Sequence, residues 1–368
     1  MSARDRRFAN NPTLVESSAE RKAAVWEARG RVLSWWDGHR REFPWRAAPG
    51  AAPNPYFVWL SEIMLQQTTV TTVAPYFERF TRRWPSLAAL AAAAIDDVVD
   101  EFAGLGYYSR ARNLHACASL LDARGGEFPR KISELRALPG VGDYTAKAIA
   151  AISFGLPCVP VDANIRRILC RFHGLERLDG DGKKRLAGSA ELWADSERSG
   201  DLAQGLMDLG ALVCRPRQPS CTACPLRDDC VATRSEPTRF PAQPKKNPRR
   251  FRFGVAFYAQ DRRGHFLVRR RPANGLLAGT LELPGAIGMG ELDESSAQEW
   301  RPFPGLWERL PDFVEHIFTH FTLRMAVFRG TFDEVPVGPK SALMPPTPKS
   351  FDRLSSAMAK AARYAQRS

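Results

Sequence analysis

The chain has 368 residues, of which 53 are Lys or Arg and 40 are Asp or Glu, so its net charge at pH 7 is +13. A basic excess of this size favours a polyanionic partner, and nucleic acid is the commonest one. The hydrophobic content of 44% is typical of a globular protein. The sequence contains no apolar run of about 18 residues, which excludes a membrane-spanning segment, and we expect no membrane partner.

The first residues, 1–22, are polar and lack the apolar core of a signal peptide. They predict a disordered lead-in. We therefore expect a cytoplasmic protein in a reducing compartment, where its seven cysteines do not form structural disulfides.

Residues 23–235 predict a helical domain. Val25, Val32, Leu33 and Trp36 lie on one face of a helix at the expected spacing. Similar apolar periods follow, separated by short Gly and Pro breaks, around Val70–Phe80, Leu87–Phe102, Ser109–Leu121, Tyr144–Phe154 and Asn164–Phe172.

The composition changes after this helical part. Residues 236–250 are rich in proline and cations and predict an extended linker. From 251 to 368 the apolar period becomes two, at 251–257 and again at 321–327, which predicts a mainly β domain. A terminal helix is expected near Asp352–Ala365.

Four cysteines follow the pattern C-x6-C-x2-C-x5-C. Thiols this close together in an intracellular chain predict a metal centre. The spacing suits both a [4Fe–4S] cluster and a zinc site with four cysteine ligands, and it does not decide between them. The ligands would be Cys214, Cys221, Cys224 and Cys230. The remaining cysteines, at positions 117, 158 and 170, are expected in the core.

The run Leu138–Gly142, LPGVG, precedes a predicted helix that starts near Tyr144. Glycines at 140 and 142 would let backbone N–H groups approach a phosphate closely, and the helix N-terminus adds positive potential. The run therefore predicts a contact with a phosphate backbone.

Two carboxylates stand in contrasting surroundings. Glu62 lies within an almost wholly apolar run, so desolvation should raise its pKa, as a general acid requires. Asp162 precedes a predicted helix, where a cap and the helix dipole favour the ionised form. One protonated and one ionised carboxyl is the division of labour that breaks a glycosidic bond.

Several motifs together resemble the adenine DNA glycosylases of the MutY type in order and spacing. The motifs are FPWR (43–46), WLSEIMLQQT (59–68), GLGYYSRARNL (104–114), LPGVGDYTA (138–146), VDANIRRIL (161–169), MDLGALVC (207–214) and the cysteine pattern. The resemblance implies a mainly α helix–hairpin–helix glycosylase domain with a [4Fe–4S] loop, followed by an α+β Nudix-like domain. It also implies one [4Fe–4S] cluster.

By this resemblance Glu62 protonates N7 of an adenine flipped out of the duplex. Asp162 then stabilises the anomeric carbon or briefly bonds to it, and Tyr144 and Asn164 support the site. Further positions match residues that contact the adenine edge or the DNA, namely Arg46, Gln67, Thr68, Tyr107, Gly140, Gly142 and Gln204. Of these, Gln67 and Tyr107 match side chains that are pushed into the duplex.

Three positions differ from the residues that relatives carry there. Ala163 replaces the glycine that usually follows the aspartate, and Thr69 replaces a longer polar residue, but neither position carries a chemical group for the reaction. Tyr144 stands where strand-cleaving relatives carry a nucleophilic lysine. A phenol cannot form a Schiff base with the sugar, so we expect base removal without strand cleavage.

The C-terminal resemblance to a Nudix-like domain is carried by Gly275–Gly279, Leu281–Gly285 and His316–Phe321. The acidic metal box of true Nudix hydrolases is missing after Gly285, so we expect no pyrophosphatase activity. In the family a Phe-Ser-His loop contacts 8-oxoguanine. The resemblance assigns that role here to Phe318, Thr319 and His320.

The sequence therefore predicts a monofunctional glycosylase. It would act as a monomer, associated with the nucleoid, on double-stranded DNA with an 8-oxoguanine:adenine or guanine:adenine mispair. Two alternatives remain: another mismatch glycosylase on the same scaffold, and a non-catalytic lesion-binding protein.

Overall fold

The computed structural model describes residues 18–195, 197–242, 249–272, 274–289 and 297–368. The chain divides into two compact units. The first combines Met1–Glu62 with Phe128–Pro244, and the second combines Ile63–Glu127 with Lys245–Ser368. Among the described helices, none has the length and apolar character needed to cross a bilayer.

The first unit is helical. Its helices are α1 Ser18–His39, α2 Pro55–Leu65 (whose last three residues belong to the second unit), α7 Ile132–Arg136, α8 Asp143–Phe154, α9 Ala163–Phe172, α10 Gly180–Leu192 and α11 Ser199–Leu212. The core forms where the apolar faces of α1, α9 and α11 meet around Trp193. The side chain of Asp162 starts α9 by accepting a hydrogen bond from the N–H of Ile165. The left-handed Gly155 ends α8.

The second unit contains four helices from the middle of the chain and a sheet from its C-terminal part. The helices are α3 Val70–Arg83, α4 Leu87–Ala91, α5 Ile95–Glu101 and α6 Ser109–Asp122. Asp100 of α5 accepts hydrogen bonds from Arg270 at 3.0 Å and from Arg353 at 2.7 Å. Arg112 of α6 donates to the carbonyl of Ala278 at 2.6 Å. These contacts join the middle helices to the C-terminal part within this unit.

The sheet is mixed and belongs to the C-terminal part of the second unit. Its strands are β1 Arg250–Asp261, β2 Phe266–Arg270, β3 Leu281–Glu282, β4 Gly285–Met289, β5 Glu308–Ile317, β6 Phe321–Phe332 and β7 Ser341–Met344. The order is β3-β2-β1-β6-β5, with β4 also paired to β1 and β7 to β2. Strands β1 and β6 run parallel over their whole length, and β5 and β6 form an antiparallel hairpin.

Alternate residues of β6 face opposite sides of the sheet. Leu323 and Met325 join the core cluster that also contains the apolar side of the last helix. Ala326 and Phe328 join a smaller cluster on the other side, where Phe328 stacks on Phe257 with ring centroids 5.0 Å apart. Two helices follow the last strand, α12 Pro348–Asp352 and α13 Ser356–Arg367. The predicted period of two is therefore confirmed.

The structure differs from the predicted boundaries in a few places. Helix α1 begins at Ser18, within the predicted lead-in 1–22, and residues 1–17 lie outside the described ones. The predicted helix over 87–102 is broken in two at residues 92–94. Within the predicted linker 236–250, a short turn of helix forms at Pro237–Arg239 and β1 begins at Arg250, whereas residues 243–248 lie outside the described part.

Candidate active site

Glu62 is buried near the end of α2, with 7% of its surface exposed. The hydroxyl of Tyr144 donates a hydrogen bond of 2.7 Å to its Oε2 atom. Burial raises the pKa of Glu62 to about 7; the hydrogen bond from Tyr144 opposes this rise, and the charge of Asp162 adds to it. A large share of this carboxyl is therefore protonated near neutral pH, which confirms the direction predicted from the sequence.

Asp162 is the residue that caps α9. It accepts hydrogen bonds from the N–H of Ile165 at 2.6 Å and from the side-chain amide of Asn164 at 3.0 Å. The predicted cap is present, but the predicted fall in pKa is wrong. Burial raises the pKa of Asp162 above its ordinary value, and the donors of Ile165 and Asn164 offset only part of that rise. Desolvation thus outweighs the cap and the helix dipole.

Tyr144 links the LPGVG run to the carboxyl group of Glu62. It lies in the first turn of α8, directly after the LPGVG run, and burial raises the pKa of its phenol well above 10. Gly140 has φ of +75°, a left-handed conformation that favours glycine. A Cβ atom added at Gly142 would meet nothing within 4 Å, so no internal packing requires a glycine there. The open space at Gly142 is compatible with close approach by an outside group such as a phosphate.

Arg46 is held by Asp208. Two of its guanidinium nitrogens donate to the carboxylate of Asp208, at 2.6 and 2.9 Å, and Trp36 and Arg41 donate to the same carboxylate at 3.1 and 2.8 Å. Burial alone would raise the pKa of Asp208, but Arg46 and Arg41 bring it below its ordinary value. Arg46 also lowers the pKa of Glu62, so its charge reaches the acid.

Asp208 was not singled out from the sequence, although it lies within the quoted MDLGALVC motif. It is fully buried in α11 among mostly apolar residues. A lone carboxylate within a mostly apolar run is the signal that pointed to Glu62, and the same signal would have identified Asp208. Gln204 lies one turn earlier on the same helix and is also buried, with its amide donating to the carbonyl of Gly200 at 3.2 Å.

Asn164 links Asp162 to the first cysteine of the cluster motif. Its oxygen accepts a hydrogen bond of 2.9 Å from Arg167, and Arg167 donates to the carbonyl of Cys214 at 2.6 Å. A Cβ atom added at Gly210 would lie 2.6 Å from Cβ of Asn164, so this close approach of α11 to α9 requires glycine. The carboxylate and the cysteine loop are thus joined by a continuous series of hydrogen bonds.

The four cysteines of the motif line a common cavity. Arg171, buried on α9, donates to Sγ of Cys214 at 3.3 Å and to the carbonyl of Arg215 at 2.8 Å. Arg227 lines the same cavity, so two cations stand beside the thiols. Within the described residues, no three His, Cys, Asp or Glu side chains are arranged to hold a single metal ion. A single zinc would need four sulfurs about 2.3 Å from one point. Four cysteine thiols around one cavity are the donor set of a [4Fe–4S] cluster as well as of zinc.

The loops that carry Gln67 and Tyr107 both belong to the second unit. Both residues are exposed, and both have positive φ, 57° and 50°. Thr68 folds back, its hydroxyl donating to the carbonyl of Gln66 at 3.3 Å. The structure therefore places the two predicted duplex-contacting side chains at the tips of tight loops.

The predicted lesion loop forms the tip of the hairpin between β5 and β6. Thr319 and His320 are exposed, whereas Phe318 is half-buried and stacks on Phe321 with ring centroids 4.7 Å apart. The hydroxyl of Thr319 is hydrogen-bonded to that of Tyr107. Within the second unit, the structure thus brings a predicted lesion-reading residue and a predicted duplex-contacting residue together.

Comparisons with known protein families cover both parts of the chain. Residues 60–194 match the HhH-GPD superfamily of base excision DNA repair proteins. Residues 255–362 match the NUDIX domain. These matches confirm the predicted fold class, a helix–hairpin–helix glycosylase fold followed by a Nudix-like domain.

Individual proteins are similar over most of the chain. An adenine DNA glycosylase from Mus musculus is 33% identical over 376 residues, covering 85% of this chain and 72% of that protein. An adenine DNA glycosylase from Homo sapiens is 33% identical over 366 residues, covering 83% and 67%. Among solved structures, a thermostable thymine-DNA glycosylase matches with a TM-score of 0.52 and 28% identity, covering 59% of this chain and 99% of that one.

Proposed function

Because the chain belongs to the adenine DNA glycosylase family, we propose that it removes adenine mispaired with 8-oxoguanine or with guanine. Adenine removal in base excision repair follows from the family. The opposing base, the mechanism and the cofactor are our proposal. We further propose that it acts on duplex DNA as a monomer, drawn to the phosphates by its net charge of +13.

The proposal depends above all on the environment of Glu62. A buried carboxyl whose pKa is about 7 can hold a proton at neutral pH and still release it to a base. In the proposed mechanism Glu62 donates this proton to N7 of the flipped adenine. The bond between N9 and the anomeric carbon then breaks, and its electron pair leaves with the base.

Asp162 would act on the sugar that remains. Its carboxylate, held by Ile165 and Asn164, is oriented before the reaction and can stabilise the positive charge of an oxocarbenium-like state. Water then adds to the anomeric carbon, and the proton that it releases restores Glu62. The products are free adenine and an abasic site.

Tyr144 supports a monofunctional reaction. Its hydroxyl donates to Glu62, and burial raises the pKa of its phenol well above 10, so it remains a neutral hydrogen-bond donor. It carries no amine to attack the sugar. The DNA backbone should therefore stay intact until another agent cuts the abasic site.

The cofactor that we propose is one [4Fe–4S] cluster, held by Cys214, Cys221, Cys224 and Cys230. When bound, such a cluster fixes the loop that carries its ligands and adds no step to the hydrolysis. The fit rests on the four thiols around one cavity and on Arg171, which donates to the sulfur of Cys214. Broad absorbance near ~400 nm in the purified protein would support this assignment, and a colourless protein holding zinc would refute it.

Thr319 and His320 are the proposed readers of the opposing base. 8-Oxoguanine differs from guanine by a carbonyl at C8 and a hydrogen on N7, so a site that discriminates between them needs polar groups near that edge. The exposed hydroxyl and imidazole at the hairpin tip supply such groups. The contact of Thr319 with Tyr107 supports a reading site beside the inserted side chain.

The similarity to a thymine-DNA glycosylase suggests the main alternative among enzymes. That similarity covers 99% of the solved chain but only 59% of this one, whereas the adenine DNA glycosylase from Mus musculus is matched over 85% of this chain. The larger coverage favours adenine as the substrate. A protein that only binds lesions is disfavoured by Glu62, whose raised pKa and Tyr144 contact suit a general acid.

A single-turnover assay separates these possibilities. Duplexes with 8-oxoguanine:adenine, guanine:adenine or guanine:thymine mispairs are incubated with excess protein, and each sample is divided into halves with and without hot alkali. We expect strand breaks at the adenine only after alkali. Strand breaks at the thymine of the guanine:thymine duplex would favour the alternative enzyme. Strand breaks without alkali would refute a monofunctional reaction. Binding without any breaks would leave only a lesion-binding protein.

A further inference from the structure

Gln67 and Tyr107 share an unusual backbone conformation. Their φ angles, 57° and 50°, lie in the left-handed region, which residues other than glycine seldom occupy. Such a conformation persists only where the surroundings impose it, and it is most common at functional sites. The two residues lie on separate loops, so each loop requires something that holds it.

One side chain reaches both loops. Arg110, in the first turn of α6, is buried, with 6% of its surface exposed. Its Nη1 atom donates to the carbonyls of Ile63 at 3.0 Å, Met64 at 2.7 Å and Gln66 at 2.7 Å. These carbonyls belong to the end of α2 and to the residue immediately before Gln67.

The other terminal nitrogen of Arg110 serves the second loop. Its Nη2 atom donates to the carbonyls of Leu105 and Gly106, both at 2.9 Å, and to the hydroxyl of Thr68 at 3.3 Å. Gly106 immediately precedes Tyr107. The guanidinium carbon also lies 5.8 Å from the centre of the Tyr107 ring. A single planar group thus binds the residue before each of the two left-handed positions.

The geometry of arginine explains why one side chain can do this. A guanidinium presents its N–H groups in a rigid planar fork, whereas a lysine ammonium is a compact point charge with three donors. Nη1 and Nη2 carry four N–H groups on two separate atoms, shared among the six acceptors, so they reach both loops at once, whereas an ammonium has three donors on one atom. Burial lowers the pKa of Arg110 to about 10, so the group stays charged at neutral pH, where its attraction to the carbonyls at the end of α2 is retained.

We propose that Arg110 is a positioning residue that holds Gln67 and Tyr107 together, as a preformed pair, in the conformation that enters the duplex. This inference rests on the proposed function and on the prediction from the sequence that those two side chains enter the duplex. Fixing both loops before DNA binds removes the ordering cost from the binding step. Arg110 itself touches neither the base nor the sugar in this proposal.

The test is a double-mutant cycle on single-turnover excision of adenine from an 8-oxoguanine:adenine duplex. Arg110→Lys is made in the wild-type chain and in a chain with Gln67→Ala and Tyr107→Ala. We expect a loss of roughly tenfold or more in the first background and little further loss in the second, because the variants act on the same step. The matched control is Arg112→Lys, on the same helix, whose guanidinium donates to Ala278 and to neither loop; it should leave the rate unchanged.

A second readout follows the flipping itself. In a Glu62→Gln background, which prevents excision, 2-aminopurine at the target position becomes fluorescent when it leaves the stack. Arg110→Lys should reduce this increase in 2-aminopurine fluorescence, and Arg112→Lys should not. Should Arg110→Lys fail to fold by circular dichroism, Thr68→Val removes one of its acceptors at small structural cost. That variant should show a smaller loss that vanishes in the chain lacking Gln67 and Tyr107.

The outcomes distinguish this inference from the proposed function. If the wild-type chain excises no adenine, the proposed function fails. If wild type is active and loss of Gln67 and Tyr107 slows it, but Arg110→Lys lowers both backgrounds by the same factor, the inference is overturned. An unchanged fluorescence rise in Arg110→Lys would overturn it as well.

Discussion

The carboxylate pocket of the first unit, defined by the buried Glu62 and Asp208 with their hydrogen-bond donors, differs from the hairpin tip at 318–320 in how its polar groups are held. Glu62 and Asp208 are buried, and fixed donors meet each of them at 2.6–3.1 Å. Thr319 and His320 are exposed at the end of two strands. In the pocket, burial changes the chemistry of a group by shifting its pKa. At the tip, solvent can replace a lost hydrogen bond.

This difference predicts how each region responds to substitution. Removing one partner in the pocket leaves another polar group buried and unpaired, which costs more than the hydrogen bond was worth. Removing a polar group from the tip loses a hydrogen bond that water can replace. Substitutions in the pocket should therefore strongly reduce activity or stability, whereas substitutions at the tip should adjust selectivity.

The largest effect should come from Glu62→Gln. The amide fills the same space but cannot protonate adenine, so single-turnover excision should fall at least about a hundredfold, while specific duplex binding remains. Binding is measured by titration of a labelled 8-oxoguanine:adenine duplex. Glu78→Gln, in helix α3, is the control and should behave as wild type. Excision by Glu62→Gln at near wild-type rate would show that Glu62 is not the acid.

Asp208→Asn should produce the next largest effect. Arg46 would lose its anionic partner within a buried site, so the free energy of unfolding should fall by roughly 3 kcal/mol. Excision should slow by roughly tenfold or more, since a misplaced group near the reacting base weakens catalysis. Asp201→Asn, a change on the same helix at a half-buried residue that pairs with the partly exposed Arg198, should have a much smaller effect on both quantities. Wild-type melting and excision in Asp208→Asn would contradict the role given to this pairing.

The pH dependence of excision tests the pocket through the titration of Glu62. The acid form of Glu62 is required, and its pKa of about 7 means that this form is lost as pH rises through 7. Excision should therefore be fastest below pH 7 and fall about tenfold per pH unit well above it. The hydrogen bond from Tyr144 lowers that pKa, so Tyr144→Phe should move the midpoint to higher pH. A rate that stays constant from pH 6 to 9 would contradict the assignment of the acid.

The smallest effect should come from the tip. Replacing both Thr319 and His320 with Ala removes two exposed groups, each worth about 0.5 kcal/mol at the lower end of the range for a hydrogen bond, so the preference for 8-oxoguanine over guanine should fall about fivefold. The rates on 8-oxoguanine:adenine and guanine:adenine duplexes are compared, with Thr322→Ala as the matched change outside the tip. Equal losses on both substrates would show that the tip does not read the lesion, and would remove the contrast with the pocket.

Several features followed from the amino-acid sequence because they are local. The isolation of Glu62 in an apolar run predicted its raised pKa, and the period of two at 251–257 and 321–327 predicted strands. The cysteine spacing predicted four thiols close together, which the structure places around one cavity, and the metal centre there stays a prediction. Each depends on residues close together in the chain, where periodicity and composition are informative.

Only the tertiary structure decided the features that depend on distant partners. Arg46 donates hydrogen bonds to Asp208, which lies 162 positions further along the chain, and Arg110 donates to carbonyls of two loops. The pKa of Asp162 rises because burial, which depends on how helices pack, outweighs a cap that the local sequence did predict. The tip residue Thr319 meets Tyr107 across 212 positions. Local patterns determine which elements form, whereas the choice among many possible distant partners depends on how the whole chain closes around its cores.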